Sequence, residues 1–289
     1  MNFKYQLDKS SKKYYCPNCN KKTFVRYVDT QNQHYINAVD GRCDRESKCG
    51  YFKKPNNNKC VTSVISGNTF INKPTYHKAS SVLQTINNCN TNNFINYLRQ
   101  HFVPIDIKRV SELYKIGNTN YWRGDTVFWQ IDDHRKVRAG KIMLYDCNTG
   151  KRIKKPYNHV NWMHKKLNLN DFVLQQCLFG LHCITKQESY KTICIVESEK
   201  TAIIMSIIFP SNIWMATGSK FNFKESLLLP IKNRQIIAYP DKSEYKAWLN
   251  VCSQLNTKGF KIICSKLVES SNINDGDDLV DICLENLTK

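Results

Sequence analysis

From residue 191 onward the sequence alternates continuously apolar runs with helix patterns, and few folds accept that order. "TICIVES", "NIWMATGS", "QIIAYPD" and "KIICSKLV" read as strands, while "EKTAIIMSIIF" and "EYKAWLNVCSQLNTKG" read as helices, the second with Gly259 past its end. Strands that are apolar on both faces and joined by helices predict a parallel sheet covered on both sides. In an open sheet of this kind, chemistry collects just outside the carboxyl ends of the strands. Glu197 and Asp241 stand at two such ends.

The first sixty residues follow a different rule. Cys16 and Cys19 lie two residues apart in "YYCPNCNKK", and Cys43 and Cys49 lie five apart in "GRCDRESKCGYF". A turn carrying two cysteines aims both sulfurs at one point, and two such turns complete a tetrahedral zinc site. Pro17 and Gly50 suit these knuckles, and "KTFVRYVD" and "HYINAVDGR" between them read as strands, so a zinc ribbon is expected. Cys60 is near enough in sequence to replace Cys49 as a ligand. Thirteen cysteines, an odd number, without an export signal point to reduced thiols and a cytoplasmic, soluble chain, with most of the others, such as Cys194 and Cys264, serving as small buried hydrophobes. No run approaches the length of a membrane span.

Between these regions the grammar changes twice. Residues 61–93 are rich in Asn, Ser, Thr and Lys and read as a linker with room for one short helix. Helices are expected over 93–102 and 106–114, and then "DTVFWQIDD", "VRAGKIMLYD" and "KRIKKPYNHVNW" give hairpin signals around "DDHRK" and "CNTG". The expected domains are therefore 1–60, a linker over 61–93, a basic strand-rich block over 94–188 and the parallel sheet over 189–289. In class terms this is α+β followed by α/β.

The chain carries 43 Lys and Arg against 24 Asp and Glu, a formal charge of +19 that favours polyanionic partners. An AT-rich genome also inflates Lys, so the distribution matters more than the total. Residues 121–166 hold eleven Lys or Arg and four Asp, interleaved with Trp122, Trp129, Tyr145, Tyr157 and Trp162. Bases stack on aromatic faces while cations neutralise phosphates, although buried aromatics beneath a solvated basic face give the same pattern. Arg138 and Lys141 in "RAGK", beside a turn glycine, are read as phosphate contacts, with Arg152 and Lys200 as further cations.

The acids gather late. "NDGDDLVDI" supplies Asp275, Asp277, Asp278 and Asp281 in an otherwise basic chain, where one or two also suit a helix N-terminus. Glu197 is equally placed to cap the helix that follows it. Two carboxylates at neighbouring strand ends can hold a magnesium ion together with waters and substrate phosphates.

In this order, "CIVESEKTA", "IIAYPDKSEY" and "NDGDDLVD" resemble the Toprim fold of DnaG-type bacterial primases and topoisomerases, and "LFGLH" at 178–182 resembles the stretch that precedes it in primases. The sequence looks most similar to the compact primase-like proteins of mobile elements and plasmids. That resemblance implies a nucleotidyltransferase that makes primers from nucleoside triphosphates on single-stranded DNA during replication. It also implies structural Zn2+ on Cys16, Cys19, Cys43 and Cys49, and catalytic Mg2+ or Mn2+. Glu197 matches the Toprim glutamate, Asp241 the first aspartate of Asp-x-Asp, and Asp278, with Asp275 nearby, the later acidic motif. Ser243 stands where the family has its second aspartate, and Thr201 where primases carry an acid. These departures keep open a single-strand-binding protein that has lost the chemistry. A Toprim nuclease would use the same carboxylates. A replicative helicase is a further partner the resemblance allows, through some surface other than the helicase-binding domain, for which little chain follows Toprim. A topoisomerase would need another domain with a nucleophilic tyrosine.

Overall fold

The computed structural model describes residues 4–8, 10, 12–32, 34–45, 49–55, 73–86, 91–184 and 190–287. It divides into two compact units, residues 1–69 and 70–289.

In the first unit the strands are β1 (Tyr5–Leu7), β2 (Tyr14–Tyr15), β3 (Lys22–Asp29), β4 (Gly41–Cys43) and β5 (Phe52–Lys53). They form an antiparallel sheet in the order β1-β3-β4-β5, with β2 also paired to β3. Phe24 of β3 is fully buried with Cys16 and Cys43, and Tyr14, Cys19, Cys49 and Tyr51 pack around them. Gly41 is required by close approach, because a Cβ there would lie 2.2 Å from the Val25 carbonyl oxygen. The strand expected over "HYINAVDGR" is interrupted. The Asn37 side chain accepts from the backbone amides of Val39 (2.9 Å) and Asp40 (2.6 Å), a turn that leaves only a bridge at Tyr35 and the short β4.

The second unit opens with α1 (Ala79–Ile86), α2 (Asn93–Leu98) and α3 (Pro104–Tyr114), then β6 (Thr126–Ile131), β7 (Val137–Met143), β8 (Val160–Trp162) and α4 (Met163–Lys166). The strands make an antiparallel sheet, β6-β7-β8. Every residue of β6 is buried, and its period of two sends alternate side chains into different cores. Val127, Trp129 and Ile131 pack with Val82 of α1, whereas Phe128 joins Phe94, Tyr145 and Phe179 in the main core. Of the stretch expected to be a linker, residues 61–72 and 87–90 lie outside the described residues, but 73–86 are built into this unit. Thr75 donates its amide to Val173 O (3.1 Å), His77 to Val137 O (2.9 Å), and Trp129 Nε1 donates to Thr85 Oγ1 (2.9 Å). Apolar Val82 supplies the burial that polar composition hid.

The remainder is β9 (Ile193–Val196), α5 (Glu199–Ile208), β10 (Ile213–Ala216), α6 (Glu225–Leu228), β11 (Gln235–Ala238), α7 (Tyr245–Asn256), β12 (Lys261–Cys264), α8 (Leu267–Ser270) and α9 (Leu279–Leu287). The four strands are parallel in the order β10-β9-β11-β12, with Ile195 opposite both Met215 and Ala238. "KIICSKLV" is shorter as a strand than expected, since its last two residues start α8. "LFGLH" lies against the β10 edge, where Phe179 and Ala216 exchange backbone hydrogen bonds of 2.9 and 3.0 Å. Tyr114 Oη at the end of α3 donates to Trp214 O (2.8 Å). A single apolar core thus runs from α2, α3 and β6 into the parallel sheet, and the boundary expected at 188/189 is not a boundary of packing. Among the described residues no helix is long and apolar enough to cross a membrane.

Candidate active site and metal centre

The ribbon's four cysteines converge. Cys16 and Cys49 Sγ are 3.5 Å apart, Cys19 and Cys43 Sγ are 3.9 Å apart, and all four sulfurs lie within 4.8 Å of one another. Tetrahedral zinc with Zn–S near 2.3 Å places its sulfurs about 3.8 Å apart, so the set fits Zn2+. The first knuckle closes through Asn20 N to Cys16 O (2.9 Å), with Asn20 in the left-handed region. The second closes through Cys49 N to Arg45 O (2.7 Å), with Gly50 at φ 64°, which is how five intervening residues still deliver both sulfurs. Asn18 Nδ2 donates to Cys49 Sγ (3.5 Å), and Thr23 Oγ1 lies 3.2 Å from Cys43 Sγ, polar neighbours of the kind that orient metal-bound thiolates. Cys60, the alternative ligand, lies outside the described residues.

On the parallel sheet, strand order decides which strand ends meet. β9 and β11 are neighbours, so Glu197, directly after β9, and Asp241, three residues after β11, emerge on one rim. The helix after Glu197 is capped by Ser198, whose Oγ accepts from Thr201 N at 3.1 Å, so Glu197 is released from capping. Burial and then Glu244 push the Glu197 carboxyl above the usual carboxylate range, while Lys220, by charge and by a backbone hydrogen bond, and Arg152 pull it back. Burial, followed by the charges of Glu197, Asp278, Glu244 and Asp281, holds Asp241 well above that range. Each carboxylate therefore feels the others, the electrostatic condition that a divalent cation relieves.

Asp278 is buried and already spoken for. Thr201 Oγ1 donates to its Oδ2 (2.5 Å) and Val280 N to its Oδ1 (2.8 Å), while Asp281 Oδ2 accepts from Asp278 N (2.8 Å). Thr201, where the resemblance expected an acid, is thus the anchor of an acid. Asp275 is exposed, and its Oδ1 accepts from Ser243 Oγ at 2.6 Å, which brings a carboxylate to the position lacking one. Among the described residues the cysteines are the only group of three or more metal-ligating side chains whose ligand atoms all lie within 4.8 Å of one another. The rim carboxylates do not form such a group.

The cations divide into two groups. Arg152, exposed beside the bridge to Tyr145, acts on Glu197, and Lys200 acts on Asp281, so both stand at the rim. Arg138 and Lys141 are placed otherwise. Arg138 Nε donates to Asp132 Oδ2 (2.6 Å) and a terminal nitrogen to Gln175 Oε1 (2.8 Å), with the guanidinium over the Tyr76 ring. Lys141 is buried between Glu199 Oε1 (3.0 Å), Glu199 Oε2 (3.1 Å) and Gly218 O (3.0 Å). Alternation along β7 sends Lys141 inward, and burial obliges it to find a carboxylate. Gly218 N in turn donates to Glu197 O (2.8 Å), so Lys141 braces the turn beside the glutamate.

Two residues of the rim went unread in the sequence. Lys220 Nζ lies 2.6 Å from Glu244 Oε1, placing an opposed pair beside Glu197. Neither Glu244, one residue past Ser243, nor the lone Lys in "TGSKFNF" carries a spacing signal.

A family model for a domain of unknown function (DUF6371) matches residues 92–242, more than half of the chain. The chain belongs to the DUF6371 family. That matched span holds β6 to β11 and, with them, Lys141, Glu197 and Asp241. A zinc beta-ribbon finger model matches residues 3–62, in agreement with the four-cysteine cluster. No curated protein matches in sequence. Among solved structures, this DUF6371 chain is similar to the RNA polymerase domain of Mycobacterium tuberculosis primase DnaG, at 10% identity and a TM-score of 0.49 over 72% of this chain and 77% of that one. It is also similar to the primase fragment of the Bacteriophage T7 primase-helicase protein, at 13% identity and a TM-score of 0.45 over 95% of each chain.

Proposed function

We propose that the protein is a primase-like nucleotidyltransferase that joins nucleoside triphosphates on a single-stranded DNA template, in the replication of a mobile element or plasmid in the cytoplasm. The observation that carries this reading is the pair of strand-end carboxylates, Glu197 and Asp241, on adjacent parallel strands, with Asp241 also under the charge of the anchored Asp278. The motif order around these residues in the sequence supports the same reading. Mg2+ or Mn2+ bound by Glu197 and Asp241, with Asp278 and Asp275 contributing charge, would polarise a phosphoryl oxygen and orient a hydroxyl. Arg152 and Lys200 would receive the phosphates of nucleotide or template, and Arg138 would hold the β6–β7 hairpin through Asp132. Lys141 keeps the Gly218 turn, and with it the Glu197 backbone, in place. Zinc in the ribbon would serve folding rather than reaction. A replicative helicase would be a partner through a surface outside this rim.

A second reading, a single-strand-binding protein without chemistry, is favoured by Ser243, whose Oγ is committed to Asp275. A Toprim nuclease would use the same carboxylates to activate water. One assay separates the three. The full chain is incubated with single-stranded DNA, labelled nucleoside triphosphates and Mg2+ or Mn2+ beside Glu197→Gln. Short labelled products falling about 100-fold or more in the variant, with DNA affinity unchanged, are expected. Shortened template would instead establish the nuclease, and a clear gel shift with no product would establish the binding protein.

A further inference from the structure

The aromatics of the basic block separate cleanly in the fold. Trp129 and Tyr145 are core residues, whereas Tyr157 and Tyr121 are 55% and 46% exposed. These two exposed rings are the ends of a ladder. Tyr157 stacks on His159 with centroids 4.4 Å apart and planes 25° apart, His159 meets the Trp122 ring edge-on at 5.1 Å, and Trp122 meets Tyr121 at 4.6 Å.

The ladder is built into the fold. His159 Nδ1 lies 3.1 Å from Ile153 O, which fixes the ring plane and puts the proton on that nitrogen. Asp125 Oδ2 accepts from the backbone amides of Tyr121 (2.8 Å) and Trp122 (3.1 Å), and Trp122 packs against the Val127 and Trp129 core. Stacking faces held in this way lose little entropy when they receive a ligand.

The surrounding charge selects the ligand. Residues 147–166 contain six Lys or Arg and no acid, and among the described residues neither Lys154 nor Lys155, both exposed beside Tyr157, has an ion-pair partner. Flat open faces next to unpaired cations match a strand whose bases are unstacked and whose phosphates are close by. Duplex DNA keeps its base faces covered and offers the ladder only its phosphates.

We infer that the ladder from Tyr157 to Tyr121 is a stacking platform for unpaired bases of single-stranded DNA, with Lys154 and Lys155 on the adjoining phosphates. The choice of DNA as the strand rests on the function proposed above; the platform does not depend on catalysis.

Fluorescence anisotropy of the full chain with a labelled oligothymidylate, over a series of salt concentrations, tests it. Tyr157→Ala should weaken binding by about 5-fold or more, while Tyr157→Phe, which keeps the ring, stays within about 2-fold of the parent. Lys154→Ala with Lys155→Ala should flatten the dependence of log affinity on log salt by about 1.4, the share of two single-strand phosphates. Unchanged affinity in Tyr157→Ala, equal affinity for a duplex of the same length, or tighter binding of the matching RNA would each overturn the assignment. Failure of the proposed reaction reads differently. A chain that binds through Tyr157 but yields no product keeps the platform and loses the primase, and a chain whose product formation and binding ignore Tyr157 loses the platform alone.

Discussion

In the N-terminal unit the reactive groups are part of the core: among its described residues Cys16 and Cys43 are buried against Phe24, beside Val25 and Val28 of the same strand. In the second unit the reactive groups stand outside a core that is complete without them, since β9 is buried along its whole length before Glu197 emerges. The two arrangements carry opposite thermodynamic signs. Metal on the cysteines supplies folding free energy to a unit too small to bury much surface, whereas the crowded carboxylates cost the second unit stability that its apolar core must offset.

The largest expected effect breaks the comparison at the ribbon. All five tryptophans lie at residue 122 or beyond, so tryptophan fluorescence reports only the second unit. Removing zinc with a chelator, or Cys16→Ser, should abolish hydrogen-exchange protection of residues 22–29, with about 10 kcal/mol or more of binding energy lost, while the fluorescence-monitored transition stays put. Joint melting of both units would contradict the contrast.

An intermediate effect sharpens the other side. Glu199→Ala leaves the Lys141 ammonium buried without its carboxylate and should cost the second unit about 3–5 kcal/mol in urea denaturation. Lys141→Met combined with Glu199→Leu should recover most of that loss, because neither charge then remains in the interior. A loss below about 1 kcal/mol for the single substitution would mean that the pair is solvated.

The smallest effect is one of pH. Burial, with help from His164, lowers His77 to about 4, and burial likewise lowers His182 to about 4. In the unfolded chain both protonate near 6.5, so between pH 6.5 and 4 the unfolded state binds more protons and stability falls with falling pH. Each histidine should contribute a slope of up to about 1.4 kcal/mol per pH unit in that window and nothing above it. Urea midpoints at several pH values, compared with those of His77→Phe, check this; an identical slope in the variant would show that His77 titrates normally.

Local pattern carried the elements that repeat it. "TICIVES" and "EKTAIIMSIIF" match their strand and helix to within a residue or two, "KTFVRYVD" is β3, and the helices expected over 93–102 and 106–114 are α2, which stops at Leu98, and α3, which starts two residues earlier because Pro104 suits a first helical turn. Glu197 and Asp241 were legible as strand-end residues, but their adjacency depends on β9 lying beside β11, which no local pattern states. The partnerships of Lys141 with Glu199 and Arg138 with Asp132 were hidden for a similar reason: period two turns Lys141 inward, and the sequence does not say which carboxylate waits there 58 residues on. In the stretch expected as a linker, the one short helix it left room for is α1, but the packing of that helix beneath Trp129 through Val82 depends on tertiary contacts that a polar composition does not announce.

Gly218 gives the Lys141 brace a consequence beyond energetics. Its backbone sits at φ 73°, and a Cβ there would stand 2.9 Å from Glu199 Oε1 and 3.6 Å from Lys141 Nζ. No one of the three positions can change alone: a side chain at 218 displaces the carboxylate, a neutral residue at 199 strands the ammonium, and a shorter residue at 141 releases the carbonyl. Positions 141 and 199 therefore form one heritable unit on a hairpin strand and a helix start, and lineages that part company at one should part company at the other, while a retained Gly218 suits either pairing.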